Sequence, residues 1–340
     1  MIEIDDRSHP VPGIGESSEL LRTERRLLLV SGRSNRELAV RIGEHLGCEL
    51  ADVTLERSGG EAYCRYDESV RGADMFIVQT GSQPVDTNLV ELAVMVNAAK
   101  LASAKRIAAV VPLFFYARQD KKSRPREPIS ARLVADLLKV AGVDRVLTMD
   151  LHAGQLQGFF DIPVDHMTAV PMFAQYFRDL HPPGQLVGVS PDTGRTKLAG
   201  RFAQMLDGDL AILNKVRLAA GEVSVTAVIG DVQGKVAVMI DDMIDTAGTV
   251  VAGAAALREA GAAKVYACAT HGLFNGPALE RVARSEIDTL IVTDTVSLDR
   301  AARPENVKVL SVSGLLAETI RSVFADDSVS AIFEGQNQLF

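Results

Sequence analysis

The sequence predicts an α/β protein of two halves, each an open, mostly parallel sheet flanked by helices. Three observations carry this reading. Short continuous runs of apolar and β-branched residues recur along the chain, the form taken by parallel strands buried on both faces. Amphipathic stretches of helical period separate these runs, so the order reads βαβα twice. The 340 residues also exceed what one hydrophobic core ordinarily serves, which favours two domains of roughly 150 residues each.

In the first half, "RLLLVSG" (26–32), "MFIVQT" (75–80), "RIAAVVPLF" (106–114) and "RVLTMDL" (145–151) read as strands. In the second, "QLVGVSPD" (185–192), "LAILNKV" (210–216), "KVAVMIDD" (235–242), "KVYACATH" (264–271) and "TLIVTDT" (289–295) do the same. The spacing predicts a helix after residue 129 with Ser130 as its N-cap. Leu133, Val134, Leu137, Leu138 and Ala141 lie along one face, and Gly142 ends it. Residues 247–262 repeat that logic with Gly261 as the stop. Residues 221–240 alternate with a period of two, which predicts a hairpin turning at Val232–Gly234 and hence an antiparallel element beside the parallel sheet. The halves divide near 160–185, where "PVDHMTAVP" and "RDLHPPG" break both patterns. Each half carries an alanine-rich helix followed by Lys and an apolar run, a hint of duplication.

Composition removes several function classes. No apolar run reaches the ~18 residues of a membrane span, and the acidic, Pro/Gly-punctuated residues 1–25 read as a partly irregular extension without a secretory signal. Cys48, Cys64 and Cys268 stand singly without CxxC spacing, as expected of reduced thiols in a cytoplasmic protein. A net charge of −8 argues against a nucleic-acid binder relying on bulk electrostatics. One basic cluster stands against that acidity: Arg118, Lys121, Lys122, Arg124 and Arg126. It is either a solvated loop or a site for a polyanionic small molecule.

In open α/β sheets, ligands bind beyond the carboxyl ends of the strands. The polar residues there are Asp150, His152, Asp192, Lys215, Arg217, Asp241, Asp242 and His271. The most informative stretch is "VAVMIDDMIDTAGT" (236–249). A strand feeding a small-residue loop and then a helix presents backbone N–H groups at a positive helix end, which suits a phosphate. Thr246, Ala247, Gly248 and Thr249 allow close approach, and the two threonines add hydroxyl donors. The carboxylates of Asp241, Asp242 and Asp245 cannot bind that phosphate; they suit sugar hydroxyls or a bridging Mg²⁺. Phosphate and polyol together indicate a sugar phosphate.

"MIDDMIDTAGT" resembles the phosphoribosyl-diphosphate-binding motif of phosphoribosyltransferase-fold proteins, which does not by itself separate enzymes that make this compound from those that consume it. "SGRSNRELA", "DESVRGADMFIVQ", "YARQDKKSRPREPISARLVADLL", "TMDLHAGQLQGFFDIPVDH", "SPDTG" and "THGLFNGPALERV" resemble the ribose-phosphate pyrophosphokinase family, in order, from about Arg26 to Phe333. The resemblance implies two tandem phosphoribosyltransferase-like domains, 26–166 and 167–333, the second holding ribose 5-phosphate, with 334–340 as a tail. It implies Mg²⁺-dependent transfer of the diphosphoryl group of ATP to the C1 hydroxyl of ribose 5-phosphate, releasing AMP, in the service of nucleotide biosynthesis. The alternatives are a non-catalytic regulatory member of the same family or a phosphoribosyltransferase.

Carried over position by position, the resemblance implies His152 and Asp192 at magnesium, and Arg118, Gln119 and Asp120 at ATP. It puts Lys215 and Arg217 in a catalytic loop, and Asp241, Asp242, Asp245, Thr246, Ala247, Gly248 and Thr249 at ribose 5-phosphate. Adenine contacts fall on "RSGGE", where Arg57 replaces an aromatic residue, Gly59 an acidic or amide residue, and Glu61 is retained. Arg195 stands where glycine is commoner in the family. Family members of the commonest class are cytoplasmic homohexamers inhibited by ADP and activated by inorganic phosphate. Ser69, Arg71, Ser103, Ser328, Ser330 and Phe333 match positions of that allosteric site.

Overall fold

A computed structural model describes residues 25–182, 184–216 and 225–333. The first half runs β1 (Leu27–Ser31), α1 (Arg36–Leu46), β2 (Val53–Ser58), β3 (Glu61–Tyr66), β4 (Asp74–Val78), α2 (Val85–Leu101), β5 (Arg106–Val111), α3 (Ser130–Ala141), β6 (Arg145–Met149) and β7 (Val164–Met167). Five of its strands form one sheet in the order β1-β4-β5-β6-β7, every pairing parallel, while β2 and β3 make a separate hairpin. The second half runs α4 (Val170–Leu180), β8 (Leu186–Ser190), α5 (Thr196–Met205), β9 (Asp209–Val216), β10 (Val225–Ile229), β11 (Val236–Ile244), α6 (Gly248–Glu259), β12 (Lys264–Gly272), α7 (Ala278–Ala283), β13 (Thr289–Thr293), β14 (Val307–Leu310) and α8 (Ser313–Ala325). Its sheet is ordered β10-β9-β8-β11-β12-β13-β14, parallel except for the β9–β10 pair. The predicted α/β class with two open sheets is therefore the observed one.

The apolar runs form strands because both of their faces are covered. β4 and β8 are buried along their whole length, and so are the first five residues of β11. Three apolar layers result. One lies between the first sheet and α2 with α3, and one between the second sheet and α6 with α7. The third is shared by both halves: Phe76 and Leu147 of the first sheet, Phe173 and Phe177 of α4, Phe202 of α5, and Val238 and Tyr266 of the second sheet belong to one cluster. Phe177 meets Phe202 edge-on at 6.4 Å and Tyr266 at 5.4 Å. Each such ring contributes about 1.5–3 kcal/mol by leaving water.

Three local expectations are corrected. Residues 225–240 do not pair with each other as a hairpin, residues 221–224 lying outside the described residues: a turn does close at Val232–Lys235, but β10 pairs antiparallel with β9, and β11 lies between β8 and β12. β11 is too apolar to serve as half of an edge hairpin, whereas β10 ends in the exposed Ile229 at the sheet margin. In α3 the buried face is Ala131, Val134, Ala135 and Leu138; Leu133 and Leu137 are 58% and 45% exposed. Val134 and Leu138 lie on the packed side as expected, and the small Ala131 and Ala135 let that side approach its neighbours closely while Leu133 and Leu137 turn outward. The N-cap position is Ile129, and the Ser130 hydroxyl donates instead to Oε1 of Gln119, 2.6 Å away.

A buried polar seam joins the two sheets at their carboxyl ends. Asp150, at φ +32° after β6, accepts hydrogen bonds from the Ala169 amide (2.8 Å) and the Thr270 hydroxyl (2.5 Å). His271, 1% exposed at the end of β12, donates from Nε2 to the Met149 carbonyl (3.1 Å), and its Nδ1 lies 2.9 Å from the Thr295 hydroxyl. Thr80 donates to the Thr295 carbonyl at 2.8 Å, and the Asn35 amide to the Asp294 carbonyl at 2.7 Å. His271, a strand-end candidate for ligand binding, thus bolts the halves together. Burial holds its imidazole below the ordinary histidine value of 6.5, so the folded protein keeps it neutral.

His271→Ala takes the imidazole donor from the buried Met149 carbonyl, leaves a cavity in the seam, and should cost about 2–5 kcal/mol in urea unfolding. The unfolded chain takes up a proton at His271 before the folded one does, so its contribution is full above about pH 6.5 and declines as the pH falls below it. The thermal midpoint should accordingly drop between pH 7 and 5, and less steeply in His271→Gln; an equal slope in both proteins contradicts this.

Candidate active site

The site begins where β11 runs out. Asp241 and Asp242 close the strand's buried stretch, Asp245 opens the turn, and Ala247 sits at φ +60° directly before α6. That left-handed residue reverses the chain into the first turn of α6, and being alanine at the N-cap position it offers no side-chain cap of its own. A helix start whose N-cap residue is alanine presents backbone donors and a positive dipole end to an anion. The turn is held from outside: Arg281 donates to the Thr246 carbonyl (2.9 Å), the Asn275 side-chain amide to Asp245 Oδ1 (2.6 Å), and the Asn275 backbone amide to the Asp245 carbonyl (2.9 Å).

The loop after β6 meets this motif through His152, whose Nδ1 lies 2.6 Å from Oδ2 of Asp242. Asp242 is only 5% exposed, and its other oxygen accepts Arg195 Nη2 at 2.6 Å. The same guanidinium reaches the His152 carbonyl at 3.1 Å and Asp241 Oδ1 at 3.3 Å. Burial and the neighbouring Asp242 charge push the Asp241 carboxyl well above the usual range. Burial also opposes ionisation of Asp242, but the His152 hydrogen bond and the Arg195 charge outweigh it and bring that carboxyl down. Two adjacent carboxyls thus divide into one that holds a proton readily and one that stays ionised. His166 steadies the loop from beneath by accepting the Leu151 amide at Nε2 (2.9 Å). Asp192 follows β8 and caps the turn there, its Oδ1 accepting the amides of Gly194 (2.8 Å) and Arg195 (3.1 Å). Among the described residues no three His, Cys, Asp or Glu side chains converge as a metal cage.

Arg118 comes from the first half and pairs with Asp245 of the second. Gln119 accepts the Ser130 hydroxyl, and the buried Asp120 accepts the Gln155 amide at 2.7 Å, tying the basic segment to the loop that carries His152. A cavity of about 510 Å³ opens beside Arg118 and Gln119, walled by Gln83 and Phe114 on one side and Met243 and Asn275 on the other. A smaller one of about 210 Å³ lies among Asp150, Arg195, Lys197, Asp241, Asp242 and Thr270.

Other sequence candidates are placed differently. Glu61 pairs with Ser58 across the β2–β3 hairpin. Arg57 folds back on the Gly60 carbonyl (3.0 Å) and reaches the Thr87 carbonyl (3.3 Å), next to Asp86, which accepts the Tyr116 hydroxyl two residues before Arg118. Lys215 lies in β9 opposite Thr226, and Arg217 lies outside the described residues. The candidate allosteric residues gather at the opposite, amino-terminal ends of the first sheet's strands. Arg26 donates to the Ser69 carbonyl and Gly72 to that of Ser103 (2.9 Å), with Arg71 between them in sequence. Arg106 at the start of β5 binds Asp74 (2.7 Å) and Asp326 (2.6 Å), just ahead of Ser328, Ser330 and Phe333 in the segment after α8.

The sequence reading missed Asn275, Gln83 and Arg281, which organise the Asp245 turn; Gln83 reaches Asn275 Oδ1 at 2.8 Å and completes a chain from the first half to Asp245. Asn275 lies just past the carboxyl end of β12, and the strand-end rule extended by a few residues finds it.

Comparison with known proteins agrees with this arrangement along nearly the whole chain. Residues 27–142 match the family described as the N-terminal domain of ribose phosphate pyrophosphokinase, and residues 190–334 match the phosphoribosyl synthetase-associated domain. The chain is 47% identical over 307 residues to a ribose-phosphate pyrophosphokinase of Fusobacterium nucleatum subsp. nucleatum, covering 90% of this chain and 97% of that one. It is 48% identical over 308 residues to that of Caldanaerobacter subterraneus subsp. tengcongensis, covering 90% and 98%. Among solved structures, phosphoribosylpyrophosphate synthetase from Mycobacterium smegmatis superposes with a TM-score of 0.84 at 44% identity, covering 89% of this chain and 100% of that one. No helix among the described residues is long and apolar enough to cross a membrane. With two family matches in tandem, near-complete coverage of its relatives and the same fold throughout, the chain belongs to the ribose-phosphate pyrophosphokinase family of enzymes.

Proposed function

We propose that the protein transfers the diphosphoryl group of ATP to the C1 hydroxyl of ribose 5-phosphate in a Mg²⁺-dependent reaction, giving 5-phosphoribosyl 1-diphosphate and AMP. The observation that carries this reading is the meeting of two half-sites. The start of α6, with alanine at its N-cap and carboxylates before it, suits a sugar phosphate, and Arg118 and His152 of the other half face it across Asp245 and Asp242.

The C1 hydroxyl oxygen attacks the β-phosphorus, the bond from that phosphorus to the oxygen bridging to the α-phosphate breaks, AMP leaves, and the hydroxyl proton passes to solvent. Such a displacement needs alignment and charge neutralisation more than a covalent partner. The amides and hydroxyls of 246–249 hold the 5-phosphate, and Asp241, Asp242 and Asp245 face the ribose hydroxyls. Arg118, with Gln119 and Asp120 supporting its segment, grips the polyphosphate as a planar fork, while Arg57 and Glu61 serve adenine. Lys215 and Arg217 offset charge on the transferring group and on AMP. The donors fit Mg²⁺: one carboxylate and one imidazole, His152 and Asp192, short of a closed cage, suit a cation that keeps water and phosphate ligands. When bound, the ion neutralises phosphate charge and aligns the polyphosphate.

The same reading extends to the chain as a whole. Its division into 26–166 and 167–333 is supported by the two sheets, and its setting is nucleotide biosynthesis in the cytoplasm. It assembles as a homohexamer with no nucleic-acid or membrane partner. ADP and inorganic phosphate act at the cluster of Ser69, Arg71, Ser103, Ser328, Ser330 and Phe333.

Phosphorus NMR of the protein with ribose 5-phosphate, Mg²⁺ and ATP should show AMP and phosphoribosyl diphosphate growing together. Their absence with phosphate supplied would falsify the activity. Lys215→Ala should lower kcat on the order of 10²-fold with ribose 5-phosphate binding nearly unchanged; a parallel loss of binding gives Lys215 another role. Asp241→Asn combined with Asp242→Asn should raise the KM for ribose 5-phosphate about 10–100-fold, and an unchanged KM removes both from the sugar site.

A further inference from the structure

Arg195 is a departure from the commoner glycine, and the structure gives it contacts that no other cation near the site makes among the described residues. Its guanidinium stands where three loops meet, one after β6, one after β8 and one at the end of β11. Nη2 donates to Asp242 Oδ1 at 2.6 Å, Nε lies 3.3 Å from Asp241 Oδ1, and Nη1 donates to the His152 carbonyl at 3.1 Å. The carboxylate of Asp242 can only accept, so the 2.6 Å contact from His152 means that Nδ1 carries the proton. The 2.9 Å approach of Arg195 Nη2 to that same Nδ1 is then packing of the guanidinium against the ring and not a hydrogen bond. Asp242 consequently has one oxygen committed to His152 and the other to Arg195. It cannot rotate without breaking one of them.

We propose that Arg195 is a positioning residue: its guanidinium clasps His152 of the first half to Asp241 and Asp242 of the second, and so preassembles the site before substrate arrives. The inference rests on the reading of the site given above. Two consequences follow from the geometry. The clasp fixes the His152 ring with Nδ1 inward, so that Nε2 is the nitrogen left to face ligand; an acceptor on one ring nitrogen commonly fixes the role of the other in this way. The guanidinium also places a positive charge against two adjacent carboxyls, which lowers the repulsion that an anionic sugar phosphate meets on entering. Lysine brings the charge but not the fork, because a point charge cannot span three acceptors on two loops.

The test compares the parent with Arg195→Ala and Arg195→Lys, using the full chain. Calorimetric titration with ribose 5-phosphate, without metal or nucleotide, should show affinity weakened about tenfold in Arg195→Ala and less in Arg195→Lys. In turnover, kcat should fall on the order of 10²-fold in Arg195→Ala, as for a displaced catalytic group. Arg195→Lys should recover little of that kcat, while millimolar guanidinium should restore part of it in Arg195→Ala, which general loosening of the fold does not predict. Affinity and kcat of a folded Arg195→Ala within twofold of the parent overturn the inference. So does full recovery of kcat by lysine, which reduces Arg195 to a charge. If Arg195→Ala does not fold, the lysine variant decides, since the clasp requires it to lose kcat while keeping most of its affinity. A parent that binds ribose 5-phosphate but forms no product defeats the proposed activity and leaves the calorimetric comparison to decide the role of Arg195; a parent that does not bind it defeats both.

Discussion

Asp241, Asp242, Asp245, His152, Asp192 and Arg118 all follow the carboxyl ends of strands in two separate sheets, and the site exists only while those ends stay in register with each other. The hydrogen bonds from His271 to the Met149 carbonyl and from Thr270 to Asp150 hold that register. Both are buried, where an unmade hydrogen bond costs more than a made one returns. The seam therefore favours one relative placement strongly. The shared apolar layer around Phe173, Phe177 and Phe202 supplies most of the adhesion but, being non-directional, little of the register. His271 illustrates how a strand-end histidine becomes a structural bolt once both of its nitrogens are engaged.

Within that frame the electrostatics are arranged in opposition. Asp241 and Asp242 are neighbours in the chain and share a buried site, so burial alone would drive both towards the neutral form. His152 and Arg195 keep Asp242 ionised, and Asp241 takes up the difference. Arg118 and Asp245 form the matching pair at the more open mouth of the site.

Much of this was legible in the amino-acid order because it is local. The strand runs announce themselves by continuous apolar character, and 236–249 contains carboxylates, small residues and helix start in one segment. What escaped is long-range. The period-two pattern in 221–240 is real, but nothing local says that β10 chooses β9 over β11. β7 and β14 are four-residue strands whose existence depends on the neighbours they join. The α3 stripe was right at Val134 and Leu138 but wrong at Leu133 and Leu137, because Ala131 and Ala135 complete the packed side. Arg195, Asn275 and Gln83 acquire meaning only when loops from different sheets meet.

The central claim is that one cleft between the two sheets receives the sugar phosphate on one side and the nucleotide on the other. A crystal structure with ribose 5-phosphate, Mg²⁺ and a non-hydrolysable ATP analogue tests it most directly. The account predicts the 5-phosphate on the amides of 246–249, the ribose hydroxyls at Asp241, and the analogue's polyphosphate between Arg118 and His152, with the C1 oxygen facing the β-phosphorus. A sugar phosphate seated elsewhere, or a β-phosphorus out of line with the C1 oxygen, contradicts it.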